Sequence, residues 1–302
     1  MHNLLLQVIG NTPLVKVFHD IPTTLYAKLE YLNPGGSIKD RSAAYMIEHA
    51  EKHGQLKSGM TIIDASSGNH GIAVAMIGAV KGYKVIICAS EKSSKEKINT
   101  IKAYGAEVRT FAPTEYLQHP ESYHSQAVRL HQQMVDSFMP NQYFNVVNRD
   151  GHYHSLGPEI WSQTKGKVTH FFAGAGTGGT ISGAGAYLKE KNPAIKIIAI
   201  DSNNSYRATN GNPKPYQLEG MGIDFDSPVL DKSIIDHYLE VSDEQGISML
   251  RQLAKNQGLL VGPSSGAVAY AAQAYSKNMK PSDLGVLIFG DSGRAYLSKN
   301  WY

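Results

Sequence analysis

Lys39 is the residue type on which chemistry would be built first. It follows the turn-forming run Asn33-Pro34-Gly35-Gly36-Ser37-Ile38 and precedes Asp40-Arg41 and an apolar helix-like run, Ala43-Ala44-Tyr45-Met46-Ile47. Asn, Pro and Gly mark a loop, and Ser37 reads as the N-cap of the helix that follows. Lys39 is then in a first helical turn, where the positive end of the helix dipole disfavours an ammonium and lowers its pKa. A lysine that gives up its proton easily is what Schiff-base chemistry needs. A second group is the loop Ala173 to Thr180, in which Gly174, Gly176 and Gly179 satisfy G-x-G-x-x-G, with Asp201 further along. Backbone amides at such a helix start cradle phosphate. A dinucleotide satisfies the motif. The hydroxyls of Thr177 and Thr180 suit a compact phosphate monoester equally well. A third group, Ser66-Ser67-Gly68-Asn69-His70-Gly71, sets donors at a strand-to-helix turn and suits a substrate carboxylate.

Two further patterns are decoys. Gly262-Pro263-Ser264-Ser265-Gly266 matches the nucleophile elbow G-x-S-x-G, but the triad order needs a later histidine and none follows Ser264. His152 and His154 flank Tyr153 without a third ligand, so no metal site is expected. Asp64 and Glu219 have no visible carboxylate partner for paired acid–base work.

The elements that must position these groups alternate between strand and helix, which predicts an α/β fold with largely parallel sheets. Strands are expected at 25–30, 61–64, 84–88, 107–111, 168–172, 195–201, 259–261 and 286–289. Helices are expected after Lys39, through Val80, over 93–104 and 122–134, after Thr180, from the capping box Ser242-Asp243-Glu244-Gln245 to about Asn256, and after Gly266. The stretch from Pro140 to His154 reads as loop, and 202–234 as a long connection. Two α/β units with a seam near 140 follow from 302 residues. A hydrophobic share of 42% and a charged share of 18% describe an ordinary globular chain. A net charge of +3 without a basic block argues against nucleic acid. The single cysteine, Cys88, falls in a strand and fits a reducing cytoplasm. No signal peptide and no membrane span are read.

Taken together and in order, Glu30 to Arg41, Ser67-Gly68-Asn69, Gly176-Thr177-Gly178-Gly179-Thr180 and Gly262-x-Ser264-x-Gly266 resemble the fold-type II pyridoxal-phosphate enzymes, specifically the cysteine synthase and cystathionine β-synthase family. Asn11-Thr12-Pro13-Leu14-Val15 and Gly157-Pro158-Glu159-Ile160-Trp161 are also similar to family segments, so the resemblance runs from about residue 5 to the C-terminus. It implies two three-layer α/β/α domains of tryptophan synthase β type. The smaller, mobile one would span 35–140 and the larger 11–34 plus 141–302, with the active site between them. It implies pyridoxal 5′-phosphate as cofactor, with Lys39 as the Schiff-base lysine and general base. Gly176, Thr177, Gly178, Gly179 and Thr180 would hold the phosphate, Asn69 the ring oxygen and Ser264 the pyridine nitrogen. Ser66, Ser67, Asn69, His70 and Gln142 would surround the substrate carboxylate. The implied reaction is β-replacement on an O-activated L-serine, or L-serine, through an aminoacrylate, with sulfide or a thiol as nucleophile. A homodimer acting in the cytoplasm is the family expectation.

The carboxylate turn departs from the family in having His70 where threonine is usual, a version similar to serine and threonine dehydratases. Glu219-Gly220-Met221-Gly222 and Leu297-Ser298-Lys299-Asn300-Trp301 lean towards cystathionine β-synthase, although Ile223 replaces a usual tyrosine. Asn141-Gln142-Tyr143 and His152-Tyr153-His154 are similar to diaminopropionate synthases, which use an amine. Outside the class, a nicotinamide-dependent dehydrogenase using the 174–179 loop is the competing expectation.

Overall fold

The computed structural model describes residues 5–66 and 68–302. The chain begins in the larger of two sheets, with β1 (Leu14–Val17) and β2 (Thr24–Leu29) paired antiparallel. It leaves through α1 (Lys39–Lys52) to build a second sheet from β3 (Thr61–Ala65), α2 (Asn69–Lys81), β4 (Lys84–Ser90), α3 (Lys95–Ala103), β5 (Glu107–Phe111), α4 (Tyr123–Gln133) and β6 (Ser137–Phe138). Helices α5 (Val147–His154) and α6 (Leu156–Gln163) carry it back to β7 (His170–Gly174), α7 (Gly179–Lys191) and β8 (Lys196–Ser202). After the long connection come β9 (His237–Val241), α8 (Asp243–Gln257), α9 (Pro263–Tyr275) and β10 (Leu284–Phe289). The larger sheet has the order β1-β2-β10-β7-β8-β9 and the smaller β5-β4-β3-β6. Among the described residues, every strand pairing within these two sheets except β1 with β2 is parallel.

Burial explains the sequence pattern. Ile197, Ile198, Ala199 and Ile200 of β8 are all inaccessible to solvent, because helices cover both faces of the sheet. A strand buried on both sides reads as an unbroken apolar run, and β4 and β10 do the same. Helix α8 opens with the expected capping box, Ser242 and Gln245 each bonding the other's backbone.

Three local expectations are corrected, and β6 was not foreseen. The stretch ending at His154 is not loop throughout, since 147–154 is helical. The buried residues of α5 are Asn148, Gly151 and His152, so no apolar stripe announces it. Leu259-Leu260-Val261 forms no strand. Only four residues separate the left-handed Gly258 that ends α8 from Pro263 at the start of α9, and Val261 makes one bridge, to Ser292. Strand β6, with two residues, is too short to carry a period. Ser37 is not the N-cap of α1, a position held by Ile38, yet its Oγ accepts from Lys39 N at 3.2 Å and so still satisfies the first amide.

Candidate active site

The residues singled out for chemistry lie on turns at the carboxyl ends of parallel strands, or just beyond them, where open α/β sheets bind ligands. β2 leads to Lys39, β3 to the 66–69 turn, β7 to the 175–178 loop and β10 to Gly290 and Asp291. They converge on a cleft of about 620 Å³ lined by Lys39, Ser66, Asn69, Gln142, Gly176 and Thr177 among others. A small pit of about 50 Å³ adjoins it, lined by Lys39, Gly176, Thr177, Gly178, Thr180 and Ser264. Lys39 borders both. The chain therefore brings together residues more than two hundred positions apart.

Burial pulls the Lys39 pKa down to about 8. No carboxylate among the described residues lies within ion-pair distance to oppose that shift. Asp40, its neighbour, turns the other way and accepts from Gly35 N at 2.6 Å, and burial pushes its carboxyl up to about 7. The helix that carries Lys39 is fixed by a buried ionic cluster. Arg41 donates to both oxygens of Glu30 (2.7 and 2.9 Å) and both of Glu159 (2.7 and 2.8 Å). Lys28 Nζ meets Glu159 at 2.8 Å and also donates to Gln163 and to the Thr12 carbonyl. The cluster ties β2, α1 and α6 together within two residues of Lys39.

The phosphate-type loop is built for close backbone approach. Gly178 has φ 95°, a conformation that favours glycine, and a Cβ there would lie 2.6 Å from Leu230 Cα. A Cβ on Gly176 would lie 2.7 Å from the Gly220 carbonyl oxygen. Gly179 is the first residue of α7, and its amide reaches Thr177 Oγ1 at 3.4 Å. Behind the loop, Ser227 Oγ donates to the Thr177 carbonyl at 2.7 Å, and Thr180 Oγ1 is 3.3 Å from His152 Nε2. His152 is fully buried, and burial first, then the charges of Lys39 and Arg41, hold its pKa well below the ordinary value. It supports the loop from behind through Thr180. Among the described residues no group of three or more His, Cys, Asp or Glu is arranged for a metal.

At the carboxylate-type turn, Ser66 Oγ accepts from Gly71 N at 2.9 Å and Gly68 N at 3.3 Å, which shapes the turn. Ser67 lies outside the described residues. His70 is buried and its Nε2 is 2.8 Å from Asp64 Oδ2. Asp64 is thus paired with an imidazole, a pairing that no sequence spacing announced. Gln142 is buried at the cleft wall, and its carbonyl accepts from Asn148 Nδ2 at 2.8 Å.

Sequence reasoning missed one polar string at the cleft. Lys97 Nζ, on α3, reaches Glu219 Oε2 at 2.8 Å and Tyr296 Oη at 3.0 Å, and sits 4.1 Å from the centre of the Tyr296 ring. The Tyr296 hydroxyl and Asn69 Nδ2 both donate to Asp291 Oδ2, the latter at 2.7 Å. The usable signal was the position of Asp291, just past the carboxyl end of the last strand.

Residues 5–291 match the profile of the family described as pyridoxal-phosphate dependent enzyme. A cystathionine beta-synthase of Apis mellifera is 45% identical over 98% of this chain, which spans 60% of that relative's length. A cysteine synthase of Staphylococcus aureus is 39% identical over 98% of this chain and 96% of its own. Among solved structures, an O-acetylserine dependent cystathionine beta-synthase from Helicobacter pylori superposes with a TM-score of 0.92 at 39% identity, covering 99% of this chain and 98% of its own.

Proposed function

Because this chain belongs to the pyridoxal-phosphate dependent enzymes, we propose that it catalyses β-replacement on an O-activated L-serine or L-serine, with sulfide or a thiol as nucleophile. One observation carries the reading: Lys39 lies where the open cleft meets the pit formed by the 176–180 loop and Ser264. The relatives act in support, one being a cysteine synthase and two being cystathionine beta-synthases.

The residues present fit the cofactor. A Cβ on Gly220 would point at Ser264, 3.5 Å from its Oγ, so the absence of a side chain leaves room beside that hydroxyl. Gly176, Thr177, Gly178, Gly179 and Thr180 offer amides and hydroxyls at the start of α7 to a phosphate monoester. Asn69 would bond the ring oxygen and Ser264 the pyridine nitrogen. When bound, pyridoxal phosphate supplies an electron sink for negative charge at the substrate's Cα. Lys39 would hold the cofactor through its amine, and the same amine would take the substrate's Cα proton and later return it. With its pKa lowered to about 8, a useful fraction of this amine is neutral near physiological pH. Ser264 offers the ring nitrogen a neutral hydroxyl in place of a carboxylate, which keeps the sink weak and favours loss of the β-substituent. Ser66, Asn69, His70 and Gln142 would surround the substrate carboxylate, Ser67 being expected there from the sequence alone, and His70 would contribute by bracing the turn, since its Nε2 is committed to Asp64.

The same proposal takes 35–140 as a smaller unit that closes on 11–34 plus 141–302 when substrate arrives. It also takes the working form as a cytoplasmic homodimer. Val15 of the edge strand β1 is exposed and available for an apolar contact. No described helix is long and apolar enough to cross a membrane.

The purified protein is expected to be yellow, with absorbance that borohydride reduction fixes onto Lys39. A Lys39→Ala variant with the same reducible absorbance would refute the site. Mixing enzyme with O-acetyl-L-serine, O-phospho-L-serine or L-serine, and sulfide or homocysteine, reads out the reaction. Pyruvate and ammonia as the main products from L-serine, whatever the acceptor, would replace β-replacement by dehydration.

A further inference from the structure

Asp291 lies beneath the cleft and is 3% exposed. It sits two residues beyond β10, and its backbone bridges that of Ser37, two residues before Lys39. Its Oδ2 accepts from Asn69 Nδ2 at 2.7 Å and from the Tyr296 hydroxyl. Tyr296 Oη is in turn 3.0 Å from Lys97 Nζ, whose charge is balanced by Glu219. The space for this carboxylate is made by Gly262, where a Cβ would stand 2.0 Å from Asp291 Oδ1.

The chemistry of the acceptor decides how the Asn69 amide must lie. Asp291 Oδ2 accepts from Asn69 Nδ2 and from the Tyr296 hydroxyl even though burial pushes its carboxyl pKa up, so the end of the amide that faces it is the NH₂ and not the carbonyl. One N–H is committed to Asp291, and the other remains for a ligand acceptor. Without Asp291 the amide is free to turn over, and its carbonyl oxygen would then oppose any ligand oxygen. We infer that Asp291 is a positioning residue: it locks the Asn69 amide so that an N–H, and not a carbonyl oxygen, meets the ring oxygen of bound pyridoxal phosphate. Tyr296 and Lys97 hold Asp291 in that role. The inference rests on the proposed contact between Asn69 and that ring oxygen. It also joins the two sheets chemically, because Lys97 is on α3 beside the smaller sheet whereas Asp291 and Tyr296 follow the last strand of the larger one.

The test compares the visible absorption band and the dissociation constant for pyridoxal phosphate in the wild type, Asn69→Ala, Asp291→Ala, Asp291→Asn and the Asn69→Ala/Asp291→Ala pair. Loss of one hydrogen bond to a charged oxygen weakens binding on the order of tenfold, and that is the effect expected of Asn69→Ala, with a displaced band. Asp291→Ala should displace the band in the same direction and weaken binding by a similar factor. Asp291→Asn, which keeps an accepting oxygen, should recover most of both. The pair should be no worse than Asn69→Ala alone, because one residue acts through the other. Independent, multiplying effects in the pair, or an unmoved band in folded Asp291→Ala while Asn69→Ala moves it, would overturn the inference and leave the role of Asn69 standing. An unmoved band in Asn69→Ala overturns that role and this inference with it. If Asp291→Ala does not fold, Tyr296→Phe decides: a displaced band supports the relay and an unchanged one refutes it.

Discussion

Replacing Glu159 by glutamine should cost this protein about 3 kcal/mol, and the cost should shrink in acid. Burial alone would raise the Glu159 carboxyl, but its hydrogen bonds and proximity to Arg41, and then to Lys28, outweigh that and hold it at about 2, against an ordinary 4.5. At about 1.4 kcal/mol per pH unit, the difference is worth about 3 kcal/mol of folding stability. The group is 17% exposed, so solvent takes little of this away. Glutamine keeps the shape but turns an amide NH₂ towards Arg41 and Lys28, both of which can only donate. Two buried cations would then share the single carboxylate of Glu30, the situation in which broken buried pairs cost roughly 3–5 kcal/mol. The sign follows from a lowered folded-state pKa. The stabilisation is complete above about pH 4.5 and is lost as pH falls towards about 2. Urea unfolding of the cofactor-free wild type and Glu159→Gln should therefore differ by about 3 kcal/mol at pH 7 and by about 2 kcal/mol at pH 3.5. A gap under about 1 kcal/mol at pH 7, or one that widens on acidification, would refute the reasoning.

Three other outcomes are expected. In the cofactor-free protein, acylation of Lys39 followed by peptide mass mapping should titrate with a midpoint near 8, because burial disfavours the ammonium; a midpoint near that of an exposed lysine would show that the amine is solvated. Gly178→Ala should abolish cofactor retention on desalting, since φ 95° and the contact at 2.6 Å with Leu230 Cα leave no room for a methyl group; undiminished retention would contradict the geometry of the loop. His70→Thr should lower stability by roughly 3 kcal/mol by stranding the buried Asp64 carboxylate. Adding Asp64→Asn should return part of that loss, and if it does not, the pair is not what holds the turn.

Much of this site was legible because its parts are local. A loop of Asn, Pro and Gly before Lys39, a glycine loop before α7 and a hydroxyl at the start of α9 are each written in consecutive residues. The alternation of strand and helix was legible for the same reason, since each parallel strand is one short apolar run. What stayed hidden depends on residues far apart in the chain. Asp64 with His70 needs a turn of particular shape, and Lys97 with Tyr296 and Asp291 spans almost two hundred positions. Helix α5 escaped because the face it buries is polar and glycine-bearing, so hydrophobic period had nothing to register. The helix dipole argument gave the right direction for Lys39, but burial is the cause that the structure supplies.

The order of strands in the larger sheet bears on how the chain is made. β2 is near the N-terminus, yet its parallel neighbour is β10, which also separates it from β7. Until residues 284–289 leave the ribosome, the six-stranded sheet is split into two pieces with a gap between them. The smaller sheet closes on itself within residues 61–138 and faces no such wait. Synthesis thus delivers Lys39 before Ser264, Gly290 and Asp291, so the candidate site cannot assemble until β10 has emerged. A chain stopped before Leu284 should show protease protection over the smaller sheet and no pyridoxal phosphate binding. Protection of β2 in such a chain would contradict this order of assembly.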